Sequence, residues 1–229
     1  TTIKVWNCSN HSLIATLRGH TNTVLDLAIH DGKLYSSGDE NLGDENNEEQ
    51  DPVADTPSIK VWNCSNYKLI TTLRGHTDDV VCLTAHDGKL YSGSDDHAIK
   101  IWNCSTNKLI KTLTDHTDEV ANLTVQYGKL YSVSYYDTIK VWNCSDHELI
   151  ANLEGFAGHK YSPIFHDHKL YYSAQDSDDQ FVVNVVNCSD HELITTLEGH
   201  TDRVVRCFTV QDGKLYFGSE DQTISVWKL

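Results

Sequence analysis

The spacing of the tryptophans constrains the fold more than any other feature of this sequence. Trp62, Trp102 and Trp142 lie 40 residues apart, and the segments around them repeat the same order of residues. A fixed period of about 40 residues predicts units that each bury apolar surface only against their neighbours, as in stacked repeats and propellers. The period continues with a Val in the Trp position, Val186, 44 residues after Trp142, and with Trp227 another 41 residues on. Five units are therefore visible.

The most complete copy of the repeat, residues 75–113, contains four short runs with the apolar alternation of β-strands. Asp87 and Gly88 lie between the first two runs and favour a tight hairpin turn, because Gly tolerates the positive φ that such a turn needs. The same dipeptide recurs at this place in the first and fifth units. The strands predicted for this copy are residues 80–85, 89–93, 98–102 and 108–113.

Motif residues stand in a fixed order within the same copy. Gly75-His76 opens it, Ser92-Gly93-Ser94 follows the second strand, Asp96 lies in the next turn, and Trp102-Asn103 closes the third strand. This order resembles the WD-repeat β-propeller family, in particular the WD-repeat proteins of the eukaryotic kinase-associated and ubiquitin-ligase-receptor type. The resemblance spans nearly the whole chain. It implies an all-β fold, a β-propeller of four-stranded antiparallel blades. One departure is regular: Asn replaces the family's closing Asp in three units, at Asn63, Asn103 and Asn143.

The resemblance also implies a buried hydrogen-bond network of His76, Ser92, Asp96 and Trp102. Buried indole and imidazole N–H groups each need a partner, and an ionised Asp strengthens such a chain of bonds. The alternative is a Ser/His/Asp catalytic triad. We favour the structural role because the set recurs as a strut along the chain. The other units keep it in part only, with Thr56, Tyr136 and Phe217 at network positions in the first, third and fifth units.

The fourth unit loses the whole set. Phe156 takes the His position and Tyr172 the Ser position, and Gln180 and Val186 replace Asp and Trp. Removing all partners together is physically coherent, because a single unpaired buried polar group costs about 1 to 3 kcal/mol whereas mostly apolar replacement is nearly neutral. Two interpretations stay open: a repacked structural blade, and a blade specialised for binding.

The ends of the array leave the ring open to three interpretations. We treat residues 1–229 as a single propeller domain. It begins with a third strand at residues 1–6 and a fourth at residues 11–17, and it finishes on a third strand. Either a five-bladed ring carries a spare strand, or the chain is part of a larger ring of seven blades, or unpaired edges associate between molecules. The absence of Met favours a processed or excised segment.

An acidic insertion interrupts the period, because Trp62 follows Trp6 by 56 residues. Residues 40–57 hold no basic residue and cannot pack, which predicts a mobile solvated loop. Docking of a basic segment, through Glu48, Glu49 and Asp51, is the functional alternative. Loose calcium binding is disfavoured, because the spacing of an EF-hand is absent.

The insertions fall in the connections between second and third strands, whereas the other turns keep constant length. Because binding is usually built on loops of a rigid scaffold, we predict that the varied face binds a partner. Aromatic residues are enriched in binding hot spots. The candidate anchors are Tyr135, Tyr136, Phe156 and Tyr161.

Five of the seven cysteines stand in an Asn-Cys-Ser turn. Equivalent points on packed sheets are about 10 Å or more apart, too far for a disulfide or a shared zinc site. We expect free thiols and a reducing compartment, the cytosol or alternatively the nucleus. Asn-Cys-Ser also reads as a glycosylation acceptor, but without a secretion signal we interpret Asn as a turn residue. These cysteines are Cys8, Cys64, Cys104, Cys144 and Cys188.

A formal net charge of −15 disfavours nucleic acid and anionic membranes and favours a basic protein or peptide partner. No cofactor motif is present, and His166 and His168 around Asp167 are better explained as a hairpin turn than as metal ligands. The sequence therefore predicts a non-catalytic interaction scaffold. The alternative is a propeller with a small-molecule or carbohydrate pocket, including a hydrolytic one, which requires converging carboxylates.

Overall fold

The computed structural model describes residues 2–38, 57–135, 138–153, 163–175, 180–198, 205–219 and 221–229. All regular secondary structure in these ranges is β-strand, and none of it is a helix that could cross a membrane. The chain divides into two compact parts, which we call the N-terminal half, Thr1–Leu123, and the C-terminal half, Thr124–Leu229. Each is described separately below.

The N-terminal half contains a two-stranded sheet followed by two four-stranded antiparallel sheets, in which strands adjacent in sequence are adjacent in space. We call the four strands of a sheet a, b, c and d in chain order. The first sheet consists of β1 (Thr2–Trp6) and β2 (Leu13–Arg18). The second consists of β3 (Val24–His30), β4 (Lys33–Gly38), β5 (Ser58–Asn63) and β6 (Leu69–Arg74). The third consists of β7 (Val80–His86), β8 (Lys89–Ser94), β9 (Ile99–Asn103) and β10 (Leu109–Leu113).

The C-terminal half has the same strand order within its sheets, which are two four-stranded sheets and a three-stranded one. Strand β11 (Val120–Gln126) contains the division between the halves, and its sheet continues with β12 (Lys129–Ser134), β13 (Ile139–Asn143) and β14 (Leu149–Leu153). The next sheet consists of β15 (Ile164–His166), β16 (Lys169–Gln175), β17 (Phe181–Asn187) and β18 (Leu193–Leu197). The last consists of β19 (Val205–Gln211), β20 (Lys214–Ser219) and β21 (Ile224–Lys228).

We name each sheet after its repeat unit, so that β7–β10 is the unit-2 sheet and β15–β18 is the unit-4 sheet. The four strands predicted for residues 75–113 are present, with ends that differ by about one residue. Strand β9 begins at Ile99 because His97 adopts a φ of 64° and belongs to the preceding turn. The register pairs Leu90 with Trp102 and Ser92 with Lys100 across β8 and β9. Side chains alternate between the two faces of a strand, so Ser92 and Trp102 lie on one face of this sheet.

Successive sheets bury opposite faces against each other. In the N-terminal half Tyr35, Ile59 and Val61 pack against Leu90 and Trp102 of the unit-2 sheet. In the C-terminal half residues of β12 and β13 pack in the same way against residues of the unit-4 sheet. That cluster includes Tyr131, Val133, Ile139, Val141, Leu170, Tyr172 and Val186. Every described inner strand is therefore covered on at least one face by a neighbouring sheet within its own half of the chain.

Two sets of turns are alike in the described units. The a–b turns place Asp31, Asp87, Asp167 and Asp212 at positive φ angles between 46° and 50°. In the c–d turns an Asn side chain accepts a hydrogen bond from the backbone N–H two residues on; for example, Ser105 N–H donates to Asn103 Oδ1 at 3.0 Å. Asn and Asp side chains can both make this local turn, so Asn can stand where the family has Asp in the closing dipeptide. Because antiparallel strands alternate direction, the a–b and c–d turns lie at one end of each sheet, and we call this end the constant face. The b–c and d–a connections lie at the opposite end of each sheet, which we call the variable face.

Candidate functional site

The structure brings the four network residues of the unit-2 sheet together. Trp102 Nε1–H donates to Ser92 Oγ at 2.9 Å, and His76 Nε2 lies 2.8 Å from the same oxygen. His76 Nδ1 lies 2.8 Å from Asp96 Oδ2. An ionised carboxylate only accepts, so the Nδ1 proton of His76 points to Asp96, and the Nε2 atom forms the second hydrogen bond of the ring with the Ser92 hydroxyl. The chain of bonds therefore runs from the indole through serine and histidine to the carboxylate.

Asp96 is held in its ionised form by this arrangement. Burial alone would raise its pKa, but the hydrogen bond and charge interaction with His76, together with two backbone hydrogen bonds, lower the pKa to about 2. The backbone N–H groups of Thr77 and Ala98 add hydrogen bonds of 3.0 Å and 2.9 Å to its two oxygens. Hydrogen bonds to the charged form of a carboxyl group favour that form.

The same contacts give Ser92 a structural role. Its side chain is fully buried, and its oxygen already accepts the indole proton of Trp102, which is 4% exposed. A catalytic serine must reach a substrate carbonyl from an accessible position. Ser92, His76 and Asp96 therefore tie the d–a connection to strands b and c.

Two other units keep the serine and tryptophan of this network. Trp62 Nε1–H donates to Ser36 Oγ at 2.8 Å, and His20 Nε2 lies 2.7 Å from that oxygen. In the third repeat Trp142 Nε1–H donates to Ser132 Oγ at 2.9 Å. The residues at the Asp position in these two repeats, Thr56 and Tyr136, lie outside the described residues.

The unit-4 sheet replaces the network by a different set of contacts. Tyr172 occupies the serine position, and its hydroxyl oxygen accepts a hydrogen bond from Asn184 Nδ2 at 3.3 Å. Asn184 Oδ1 in turn accepts a bond from Thr196 Oγ1 at 2.9 Å. Burial raises the pKa of Tyr172 although the bond from Asn184 lowers it, so the phenol stays protonated at neutral pH. The fourth repeat thus keeps polar contacts, which the sequence alone did not indicate for Asn184.

A cavity of about 330 Å³ lies beside Val186 in this sheet. Val186 stands where the other repeats have Trp, and it is 1% exposed in one buried cluster with Leu153 and Tyr172. Tyr172 and Asn184 lie at one side of the cavity, and Leu153 of β14 lies at another. Among the described residues the lining also includes Asn152, His191 and Leu193.

In the last sheet an aromatic ring replaces the serine hydroxyl. Phe217 is 2% exposed and packs in one apolar cluster with Leu215 and Trp227. An apolar group at this position removes the oxygen that accepts the indole proton in other repeats. The fifth repeat therefore keeps its tryptophan as part of an apolar cluster.

Lysines on strand b form contacts that sequence reasoning missed. Lys33 Nζ donates to the backbone oxygen of Cys104 and to Asn107 Oδ1 in the c–d turn of the unit-2 sheet. In the C-terminal half Lys129 Nζ makes the equivalent bond to the backbone oxygen of Cys188. Each lysine is about 60 to 70 residues from its partner in sequence, so only their equal places in the repeat could have suggested the pairing. These bonds fasten neighbouring sheets at the constant face.

All seven cysteines are free thiols. Cys104 and Cys188 are buried, and burial raises the pKa of each thiol although the neighbouring tyrosine and lysine lower it. A thiol with a raised pKa is mostly protonated at neutral pH and is a poor nucleophile. The buried members of the Asn-Cys-Ser turns are therefore packing residues.

Most of the predicted partner-binding residues lie outside the described residues. Tyr135 is described: it follows β12 in the b–c connection and is half-buried. Its role in binding stays a prediction. The others, which the structure does not describe, are Tyr136, Phe156, Tyr161, Glu48, Glu49 and Asp51.

His166, Asp167 and His168 form an a–b turn. Asp167 and His168 have φ angles of 46° and 56°, and the His168 ring stacks on Tyr127 with the ring centroids 4.5 Å apart. Within the described ranges no group of three or more His, Cys, Asp or Glu side chains is placed to hold a metal ion.

Comparison with known proteins identifies the class of repeat. The family "WD domain, G-beta repeat" matches residues 67–103 and 191–228. The predicted resemblance to WD-repeat β-propellers is thus confirmed, as is the all-β fold class with four-stranded antiparallel blades. A search of curated proteins found no match to this chain.

The solved structures that share the fold include two computationally designed proteins. The computationally designed Ika8 protein superimposes with a TM-score of 0.78 at 23% identity, covering 100% of this chain and 65% of that chain. The designed Ika4 protein gives a TM-score of 0.57 at 24% identity, covering 69% of this chain and 95% of that one. This chain therefore spans less than two thirds of the length of Ika8.

Proposed function

We propose that this WD-repeat chain is a non-catalytic scaffold that binds a protein or peptide partner on its variable face. The observation that carries the proposal is the contrast between the two faces. The turns of the constant face share one construction, with positive-φ a–b turns and Asn-capped c–d turns. A surface whose residues are committed to turn geometry has little freedom to fit a particular partner.

The variable face differs from repeat to repeat. Strand β4 ends at Gly38 and β5 begins at Ser58, whereas β8 ends at Ser94 and β9 begins at Ile99. Connections of different length on a rigid sheet scaffold are where binding sites are usually built. WD repeats are generally used for protein-protein interaction, which agrees with this placement.

Acidic side chains on the described part of the variable face favour a basic partner. Asp78, Asp79 and Asp95 are clustered beside the unit-2 sheet and are partly exposed, and Asp95 N–H bonds to the Asp79 oxygen at 3.0 Å. Asp118 and Glu119 precede β11 at the equivalent place in the next repeat. Together with the net charge of −15 these groups attract Lys- and Arg-rich segments and repel nucleic acid.

Selection from a random displayed peptide library against the whole chain tests the proposal. We expect enrichment of basic peptides whose affinity falls at least about tenfold in the double variant Asp78→Asn/Asp95→Asn and falls at high salt. The matched control is Asp146→Asn/Asp190→Asn, which makes the same charge change in c–d turns of the constant face. Loss of affinity in the control pair, with none in the variable-face pair, would overturn the assignment of the binding face.

The proposal also includes self-association through uncovered sheet faces. Trp6 is 52% exposed whereas Trp62 is 3% exposed, and Ile224 and Val226 of β21 are 72% and 54% exposed. The side chains at the corresponding positions of β9 are fully buried by a neighbouring sheet. Sedimentation at increasing protein concentration should show a rising mass that Ile224→Glu abolishes. A constant monomer mass in the unmodified chain would remove this part of the proposal.

A further inference from the structure

Successive sheets in each half of the chain are joined through two different sheet faces. The face that we call the front carries the apolar residues that precede the tryptophan position in strand c, and it packs against the next sheet in chain order. The face that we call the back carries the tryptophan position, and it packs against the preceding sheet. In the N-terminal half Ile59 and Val61 on a front face pack with Trp102 on the next back face. In the C-terminal half Val185 packs with Trp227 in the same way.

A polar bond accompanies this apolar packing in both halves of the chain. Lys33 Nζ on strand b donates to the backbone oxygen of Cys104, which lies in the c–d turn of the next sheet. Lys129 Nζ makes the same bond to the backbone oxygen of Cys188. The lysine belongs to the earlier sheet of each pair, and the cysteine turn belongs to the later one. Each joint therefore pairs two unlike surfaces and fixes the order of the two sheets.

The three-stranded sheet β19–β21 exposes its front face. Val226 occupies the position of Val61 but is 54% exposed, whereas Val61 is fully buried. Ile224, which points to the same face two residues earlier, is 72% exposed. Lys214 stands at the lysine position of strand b and is exposed as well. Burial of this apolar surface against another apolar face is favourable, so the front of this sheet is half of a joint without its partner.

The two-stranded sheet β1–β2 exposes the other half of such a joint, a back face. Trp6 is 52% exposed, whereas Trp62 at the same position of the next repeat is 3% exposed. Cys8 occupies the cysteine position of the c–d turn and is exposed. The turn is formed as in the other repeats, since Ser9 N–H donates to Asn7 Oδ1 at 2.8 Å. It therefore has the conformation that accepts a lysine elsewhere in the chain.

We propose that these two faces bind each other between copies of the chain, so that the front of sheet β19–β21 in one copy receives the back of sheet β1–β2 in a second copy. Trp6 packs over Ile224 and Val226. Lys214 Nζ donates to the backbone oxygen of Cys8, as in the joints within the chain. Because the two faces are unlike, the contact is head-to-tail and generates rings or filaments. This inference rests on the self-association included in the proposed function and assigns the two surfaces that form it.

Two blocked variants and their mixture test the head-to-tail contact. Trp6→Glu places a charge on the back face, and Ile224→Glu places one on the front face. Sedimentation should show each variant alone as a monomer, because burial of an unpaired charge is costly and each contact needs both faces. The equimolar mixture should form dimers with one copy of each variant, because the intact front of the first meets the intact back of the second. A mixture that stays monomeric while the unmodified chain associates would overturn the proposal.

A matched control separates the effect of position from the effect of charge. Ile194→Glu makes the same exchange at a side chain that is 49% exposed on strand d of the unit-4 sheet. This variant should associate like the unmodified chain. Loss of association in Ile194→Glu would show that an added charge at any exposed site prevents association, and it would contradict the assigned faces.

The outcomes also separate this inference from the function proposed above. Association of the unmodified chain that Trp6→Glu leaves intact would keep the self-association but overturn the head-to-tail contact, because the back face would then take no part. A monomer at every concentration of the unmodified chain would remove both. Neither result bears on peptide binding at the variable face, which the displayed library tests by itself.

Lys214 tests the register of the contact. Lys214→Met, added to the Trp6→Glu copy, should raise the dissociation constant of the mixed dimer at least about tenfold, as a hydrogen bond from a charged group allows. The control Lys108→Met removes an exposed lysine next to the c–d turn of the unit-2 sheet and should change the constant less than about twofold, because distant exposed charges are screened. Sedimentation at several concentrations gives both constants. An unchanged constant in Lys214→Met would contradict the bond to Cys8 and the register that it fixes.

Discussion

The unit-2 and unit-4 sheets share strand order and register but treat their buried polar groups in opposite ways. The unit-2 sheet keeps a chain of bonds from Trp102 to Asp96. The unit-4 sheet replaces the serine by Tyr172 and the tryptophan by Val186, and both side chains are buried in one cluster with Leu153. A single repeat position can therefore hold a hydrogen-bonded indole in one sheet and an aliphatic packing residue in another.

The comparison also shows why the replacements occur together. Losing Ser92 alone would leave the Trp102 N–H and the His76 Nε2 atom without their shared partner, and an unpaired buried group costs about 1 to 3 kcal/mol. In the unit-4 sheet the indole donor is gone and the hydroxyl has gained Asn184 as a partner. The fourth repeat thus loses the network without leaving the tryptophan donor stranded.

The largest effect is expected from Trp102→Val, which makes the unit-2 sheet resemble the unit-4 sheet. It removes a buried ring and leaves a cavity, so we expect the free energy of unfolding to fall by about 3 kcal/mol. Urea unfolding measures the loss. The matched control is Trp6→Val, because Trp6 occupies the same repeat position but is 52% exposed, and it should lose less than about 1 kcal/mol. Equal losses would contradict the assigned role of the buried indole.

A smaller effect is expected from removing the central hydroxyl of each sheet. Ser92→Ala deprives Trp102 and His76 of their shared partner and should cost about 2 kcal/mol. Tyr172→Phe removes one bond of 3.3 Å to Asn184 and should cost about 1 kcal/mol or less. The two midpoints of urea unfolding, each compared with the unmodified chain, measure the difference. A larger cost for Tyr172→Phe would reverse the comparison.

The smallest effect is a pH dependence specific to the unit-2 sheet. The folded chain holds the pKa of Asp96 at about 2, below its ordinary value of 3.8. Between these values the unfolded chain binds more protons, so this contribution to stability is present above about pH 4 and is lost as pH falls towards 2. Asp96→Asn should remove that part of the acid sensitivity, seen as a smaller drop in unfolding midpoint between pH 5 and pH 3. An unchanged drop would show that the network does not lower the pKa of Asp96.

The repeat period predicted the strands because each copy carries the same local alternation and turn residues. His76, Ser92, Asp96 and Trp102 could be named from one copy, since their types and order define them. The packing of the fourth repeat could not be predicted: Val186 and Tyr172 were visible as replacements, but how the larger phenol packs beside the smaller valine depends on the fold in three dimensions. Asn184 was missed for the same reason, because its partner Tyr172 is recognised only from the strand register.

A double-mutant cycle at positions 172 and 186 tests the central claim most directly, namely that the unit-4 sheet has exchanged a serine–tryptophan pair for a packed tyrosine–valine pair. The variants Tyr172→Ser, Val186→Trp and the double variant are compared with the unmodified chain by urea unfolding. We predict that the double variant is more stable than the two single changes sum to, by about 1 kcal/mol or more, because indole and hydroxyl then pair as in the unit-2 sheet. Additive single effects, or a double variant less stable than the sum, would contradict the claim.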